Sequence, residues 1–164
     1  MADRYYASIT IGGEFPAALL DELPSDLTGL KIETGGSDHR NYLEECAETG
    51  TNPTFYDEHA NWGMFESLED WLIEHDIDFN RTSGQFYGYS AETRHYRHNE
   101  DVDITVEHSE DKDSIVSART MEEWVRLLKT GEIRPVIADI ENYLHPASDL
   151  RQFVIVRKGE AAHG

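Results

Sequence analysis

The stretch from Asn61 to Ser83, NWGMFESLEDWLIEHDIDFNRTS, constrains the fold more than any other part of the chain. It reads as one short helix feeding one strand. Ser67 has the side chain of an N-cap, and Asp70 follows three residues later, the two halves of a capping box. Leu68, Trp71, Leu72 and His75 recur at i, i+3, i+4 and i+7, an apolar stripe that requires a core to cover it. Around that stripe stand Glu66, Glu69, Asp70, Glu74 and Asp76, with no lysine or arginine among them. Past the helix, Ile77, Phe79 and Arg81 alternate with Asp78 and Asn80 at strand period. One face of this unit builds a fold, and the other carries carboxylates.

The remaining segments follow the same rules. Tyr5 to Ile11 alternates as a first strand, broken by Gly12-Gly13. Pro16 opens a short helix through Leu19, Leu20 and Leu23, which Pro24 ends. Leu30 to Thr34 reads as a second strand, and Ser37 or Asp38 caps a helical element over Tyr42 to Ala47. Pro53 to His59, Gln85 to His98, Asp103 to His108, Ser114 to Ala118 and Phe153 to Val156 have strand character, and Glu110 to Asp113 reads as a turn. Thr120-Met-Glu-Glu123 forms a second capping box, followed by a stripe of Met121, Trp124, Val125 and Leu128 that ends at Lys129 and Gly131. Pro135 opens another helix through Ile140, Tyr143 and Leu144. Trp71, Leu72, Trp124, Val125 and Leu128 are expected to be buried. Both capped helices share the form [S/T]-apolar-acid-acid-Trp-apolar, and capping boxes recur on physical grounds without a duplication. The order of elements predicts an α+β fold with a single mixed or antiparallel sheet and helices packed on one face. Residues 1–158 are expected to form one domain, and 159–164 a frayed tail.

Charge separates this chain from an average one. It holds 33 acidic residues against 14 basic, a net charge of −19. Residues 41 to 80 carry 11 acids and no lysine or arginine, and residues 99 to 113 carry seven acids against Lys112. Those two segments hold −17 of the total, while residues 114 to 158 are balanced, with seven basic and six acidic. Such a field disfavours direct nucleic-acid and anionic-membrane binding and favours a basic partner. Phe55, Trp62, Phe65, Trp71 and Phe79 are interleaved with the acids, so the segment folds despite its repulsion. Carboxylates three and four apart on a helix lie about 5–6 Å from each other, on the scale of the phosphates along a nucleic-acid strand. A solvated face that only confers solubility is the plainer reading, but it would be acidic throughout.

Little else carries chemistry. The closest histidines, His95 and His98, sit at i and i+3 of a strand, which point to opposite faces. Neither a Cys-x-x-Cys nor a His-Glu-x-x-His spacing occurs, so no metal and no cofactor are expected. Glu58-His59 and Glu74-His75 have no nucleophile in context, and Gly12-Gly13 and Gly35-Gly36 lack the phosphate-loop form. Arg94-His-Tyr-Arg97-His is a short basic run that reads as strand. Cys46, the one cysteine, has helical neighbours that suit a buried small side chain and cannot form an internal disulfide. No apolar run is long enough to span a membrane, the polar MADRYYAS start does not resemble a signal peptide, and a cytoplasmic location is expected.

Trp62-Gly63, Phe65, Leu68-Glu69 and Trp71, then Ile77, Phe79, Arg81 and Ser83, resemble a segment of small phage and plasmid proteins, over roughly residues 60 to 98. Anti-CRISPR and anti-restriction proteins belong to that gene neighbourhood. Many are small, acidic and non-enzymatic, and some imitate DNA. The resemblance implies an inhibitor that binds the basic nucleic-acid channel of a host defence complex, a CRISPR effector or a restriction enzyme. It carries over no site residue. Charge alone nominates the partner-binding residues: Asp57, Glu58, Glu66, Glu69, Asp70, Glu74, Asp76, Asp78, Glu100, Asp101 and Asp103. Of these, Glu66, Glu69, Asp70, Glu74, Asp76 and Asp78 are expected to face solvent. The alternatives are a small enzyme with an acidic pocket and an acidic immunity or antitoxin-type protein.

Overall fold

Ala7, Ile9 and Ile11 fall on one phase of the first strand and are all fully buried, which places that strand in the middle of a sheet rather than at an edge. The computed structural model describes residues 4–85, 90–109 and 115–157. Its strands are β1 (Arg4–Gly12), β2 (Glu14–Pro16), β3 (Lys31–Ile32), β4 (Thr54–Asn61), β5 (Asp78–Ser83), β6 (Ala91–Arg97), β7 (Val102–His108) and β8 (Val154–Val156). Its α-helices are α1 (Ser25–Thr28), α2 (His39–Thr49), α3 (Glu66–Glu74), α4 (Ala118–Lys129) and α5 (Ile133–Leu144). Six strands form an antiparallel sheet in the order β3-β4-β1-β5-β6-β7, and β2 pairs with β8 in parallel. The fold is α+β.

Both β4 and β5 run antiparallel to β1, so they are parallel to each other and need a crossover. Helix α3 is that crossover. Its buried Leu68 and Leu72 pack with Ile9, Ile11, Phe55 and Phe79 of the sheet, and Leu43 and Cys46 of α2 join the same cluster. Asp38 caps α2 by accepting from the Asn41 amide at 3.0 Å, and Gly50 closes it with φ 72°. Gly12 lies where the chain end crosses the sheet. A Cβ there would come within 2.4 Å of the Arg151 carbonyl oxygen, so only glycine lets residues 150–153 approach. Phe153 then reaches the core, 5.6 Å from the Phe15 ring.

The helices occupy both sides of the sheet. Those up to α3 cover the apolar phase of β1, β4 and β5. On β7 the covered positions are Val102, Ile104 and Val106, which pair with Arg97, His95 and Thr93 on the opposite phase. There α4 and α5 approach, with Ile104 and Val106 facing Thr120, Asp139 and Tyr143 across a cleft of about 340 Å³.

Several local expectations are corrected. The short helix after Pro16 is a 3-10 turn (Ala17–Asp21) that closes at Glu22, and Pro24 instead caps the start of a new helix, α1. Ser67 lies inside α3 rather than at its cap, because Glu69 supplies the cap from within the first turns. Ser117, not Thr120, caps α4 by accepting from the Thr120 amide at 3.1 Å. Residues 115–117 are not a strand, although the Ile115 amide bonds the Glu107 carbonyl at 2.8 Å. Leu72 is fully buried and Trp71 packs partly against the core, but Trp124 is only half-buried, and Val125 and Leu128 are 49% and 48% exposed. Their helix lies at the margin of the sheet, where β7 covers one side of it. Phe86, Tyr87 and Tyr89, the turn from Glu110 to Asp113, and the tail from 159 to 164 lie outside the described residues.

Candidate functional site

Helix α3 sorts its carboxylates by angle. Glu66, Asp70 and Glu74 sit at i, i+4 and i+8, in one exposed row stepping about 6 Å along the axis. Asp76, with φ 60°, continues the row past the helix end. Its Oδ1 lies 2.9 Å from His98 Nδ1, which joins it to the turn carrying exposed Glu100 and Asp101. At the other end, Glu66 borders a cleft of about 660 Å³ lined also by Asp26, Asp57, Trp62 and Phe65. Asp57, Glu66, Asp70, Glu74, Asp76, Glu100 and Asp101 thus follow α3 and the segments at its two ends. Carboxylates beside aromatic faces are suited to ammonium and guanidinium groups.

Four nominated residues do not belong to this track, and two of the four are buried. Glu69 is 2% exposed and Asp78 1%. Glu69 Oε1 accepts from the Phe65 amide at 2.9 Å and lies 3.3 Å from Arg81 Nε, while Oε2 accepts from Arg94 at 2.8 Å. Register sets Arg81 and Arg94 opposite each other on β5 and β6, so the two guanidinium groups share the space under α3. Glu92 meets Arg81 at 2.6 Å, and the Arg81 guanidinium also donates to the Gly63 carbonyl at 3.1 Å. Gly63 makes that approach at φ 65°, with the position of a Cβ only 2.6 Å from Ser83 and Tyr5. Asp103 binds Arg94 through both oxygens at 2.8 Å, so it is only half free. The hydrogen bond from Arg94 holds Asp103 below the usual carboxylate range, and Asp103 with Glu69 raises Arg94 in turn.

Asp78 ties three segments together. It accepts from the His98 amide at 2.9 Å and from Arg151 at 2.8 and 3.0 Å. The alternation that set Asp78 outward holds, but the chain end covers that side of β5. Glu58 is exposed yet lies on the sheet face away from α3, paired with Lys31 at 2.5 Å. Of the nominated set, Asp57, Glu66, Asp70, Glu74, Asp76, Glu100 and Asp101 remain on one track.

Arg97 is buried and donates to the carbonyls of Phe79, Tyr96 and Ser148 and to Asn80 Oδ1, so the Arg94–Arg97 run is internal. His95 bonds Asn80 Oδ1 while His98 faces Asp76, so the two histidines serve different sides. Among the described residues, no helix is long and apolar enough to cross a membrane. One sequence signal pointed to the Glu69 network. Arg81 shares the inward phase of β5 with Phe79, and an arginine there requires a carboxylate from whatever covers it.

No family model, curated protein or solved structure matches this chain.

Proposed function

We propose that this chain is a non-enzymatic inhibitor carried by a mobile element, which binds the basic nucleic-acid channel of a host defence complex and competes with DNA or RNA. The observation that supports this reading is the exposed row Glu66, Asp70 and Glu74, extended by Asp57, Asp76, Glu100 and Asp101, while the arginines under α3 pair with the buried Glu69 instead. Steps of about 6 Å give that row roughly half the linear charge density of a DNA strand, about one charge per 3.4 Å, and its flanking acids raise it. Beneath the track, Glu69 pairs with Arg81 and Arg94, and Asp78 with Arg151. A basic groove would exchange its counterions for these carboxylates, and its lysines and arginines find aromatic faces in the cleft beside Trp62 and Phe65.

The test is displacement of DNA from a panel of purified CRISPR effectors and restriction enzymes, followed by mobility shift. Wild type should displace DNA from one of them, and the effect should weaken steeply between about 50 and 200 mM salt. A variant with Glu66→Lys, Asp70→Lys and Glu74→Lys should fold and fail to displace. Equal displacement by both proteins, or none across the panel, refutes the reading.

A further inference from the structure

Helices α4 and α5 carry more apolar surface than their place on the sheet uses. On α4, Met121, Val125 and Leu128 recur at i, i+4 and i+7, and each is about half exposed. On α5, Ile133, Ile137, Ile140 and Leu144 continue the pattern and are 37% to 67% exposed. Contacts between the two helices use other positions. Trp124 Nε1 donates to Asp139 at 3.2 Å, and its ring meets Tyr143 edge-on at 5.7 Å. On each helix the exposed stripe is turned from those contact positions by roughly 100° in the same rotational sense. The helices are antiparallel, so equal rotations bring both stripes to the same side of the hairpin. Asp139 and Asn142 face β7, so the combined stripe faces away from the sheet. Residues equidistant from Gly131, such as Val125 and Ile137, stand near one level, and Leu128 and Ile133 come close to the same relation.

Seven such side chains leave roughly 600 Å² of apolar surface, the upper end for the largest patch of a monomer. A stable dimer takes about 800 Å² from each partner, which the stripe and its polar margin can supply. Charge selects the occupant. Residues 118 to 144 hold four basic and five acidic residues, a net −1 in a chain of −19, so two copies meet there with least repulsion. A cationic partner would instead be drawn to the acidic track. Complementarity goes further, because α4 has three basic and two acidic residues while α5 has one basic and two acidic. A two-fold axis that lays α4 of one copy on α5 of the other joins +1 to −1 twice.

We infer that the α4–α5 hairpin is a homodimer interface, in which the stripe of Val125, Leu128, Ile133 and Ile137 packs against its own copy as a four-helix bundle.

Sedimentation equilibrium of the full chain tests this. At about 100 µM, wild type should have twice the 18.7 kDa chain mass, with a Kd near or below about 10 µM. Raising salt to about 0.5 M should preserve or tighten the dimer by screening the net charge. Val125→Glu with Ile137→Glu should sediment as a monomer with an unchanged circular dichroism spectrum. Hydrogen exchange of wild type needs no variant, and protection of residues 118 to 144 should rise with protein concentration. A wild type that stays monomeric at both salts overturns the inference and leaves the face to another protein. So does a dimer that survives the double substitution, dissociates in salt, or shows no concentration-dependent protection in the hairpin.

Discussion

Glu69 and Asp70 are adjacent acids on one helix, and replacing each with alanine should have opposite consequences. Asp70 is exposed, so Asp70→Ala should change stability by less than about 0.5 kcal/mol. Glu69→Ala removes three interactions together. Loss of the bond to the Phe65 amide costs about 1 kcal/mol, as for other helix caps. Arg81, with a side chain 3% exposed, loses one of its two carboxylates. Breaking a buried pair outright costs about 3–5 kcal/mol, and the surviving Glu92 contact brings this to about 2. Arg94 keeps both bonds to Asp103, so its share is small. The total is about 3 kcal/mol, which for a chain of this size lowers the melting midpoint by about 6–12 °C. Glu69→Gln keeps an acceptor for the Phe65 amide and should lose about 2 kcal/mol. Urea unfolding of the three variants with a common m-value is the assay. A Glu69→Ala protein within 0.5 kcal/mol of wild type, indistinguishable from Asp70→Ala, would refute the buried network.

Two further outcomes follow from buried polar groups. Asp78→Ala should destabilise by about 2–4 kcal/mol, because the His98 amide and the Arg151 guanidinium lose their acceptor, and proteolysis near residue 151 should accelerate; an unchanged urea midpoint would count against it. Burial, with Arg97 and His108 nearby, pulls His95 from 6.5 to about 4. Between those values the unfolded chain takes up a proton that the folded chain refuses, so stability falls as pH drops through that window and is unaffected above it. The full shift discounts to about 1–2 kcal/mol for a half-buried ring, and His95→Gln should remove that part of the pH 7 to pH 4 loss. Parallel pH profiles for the two proteins would rule this out.

Local pattern was enough for the elements near the centre of the chain. The period of Leu68, Trp71 and Leu72, the alternation through Phe79, and a cap at Ser37 or Asp38 depend on neighbours within four residues; the structure shows the first two and selects Asp38 for the third. The concentration of acids around α3 was equally legible, because it is a property of composition along the chain. What composition could not assign was which acids face outward. Glu69 turns inward because β5 and β6 pair Arg81 with Arg94 beneath it, and that register joins positions thirteen residues apart. Asp78 is buried because Arg151, more than seventy residues later, returns across the sheet through the gap that Gly12 leaves. The stripes of α4 and α5 were visible as helical periodicity, which states that a face is apolar and not what covers it. Only the sheet could decide that, and β7, its edge strand, offers Ile104 and Val106 to one side of the hairpin and nothing to the other.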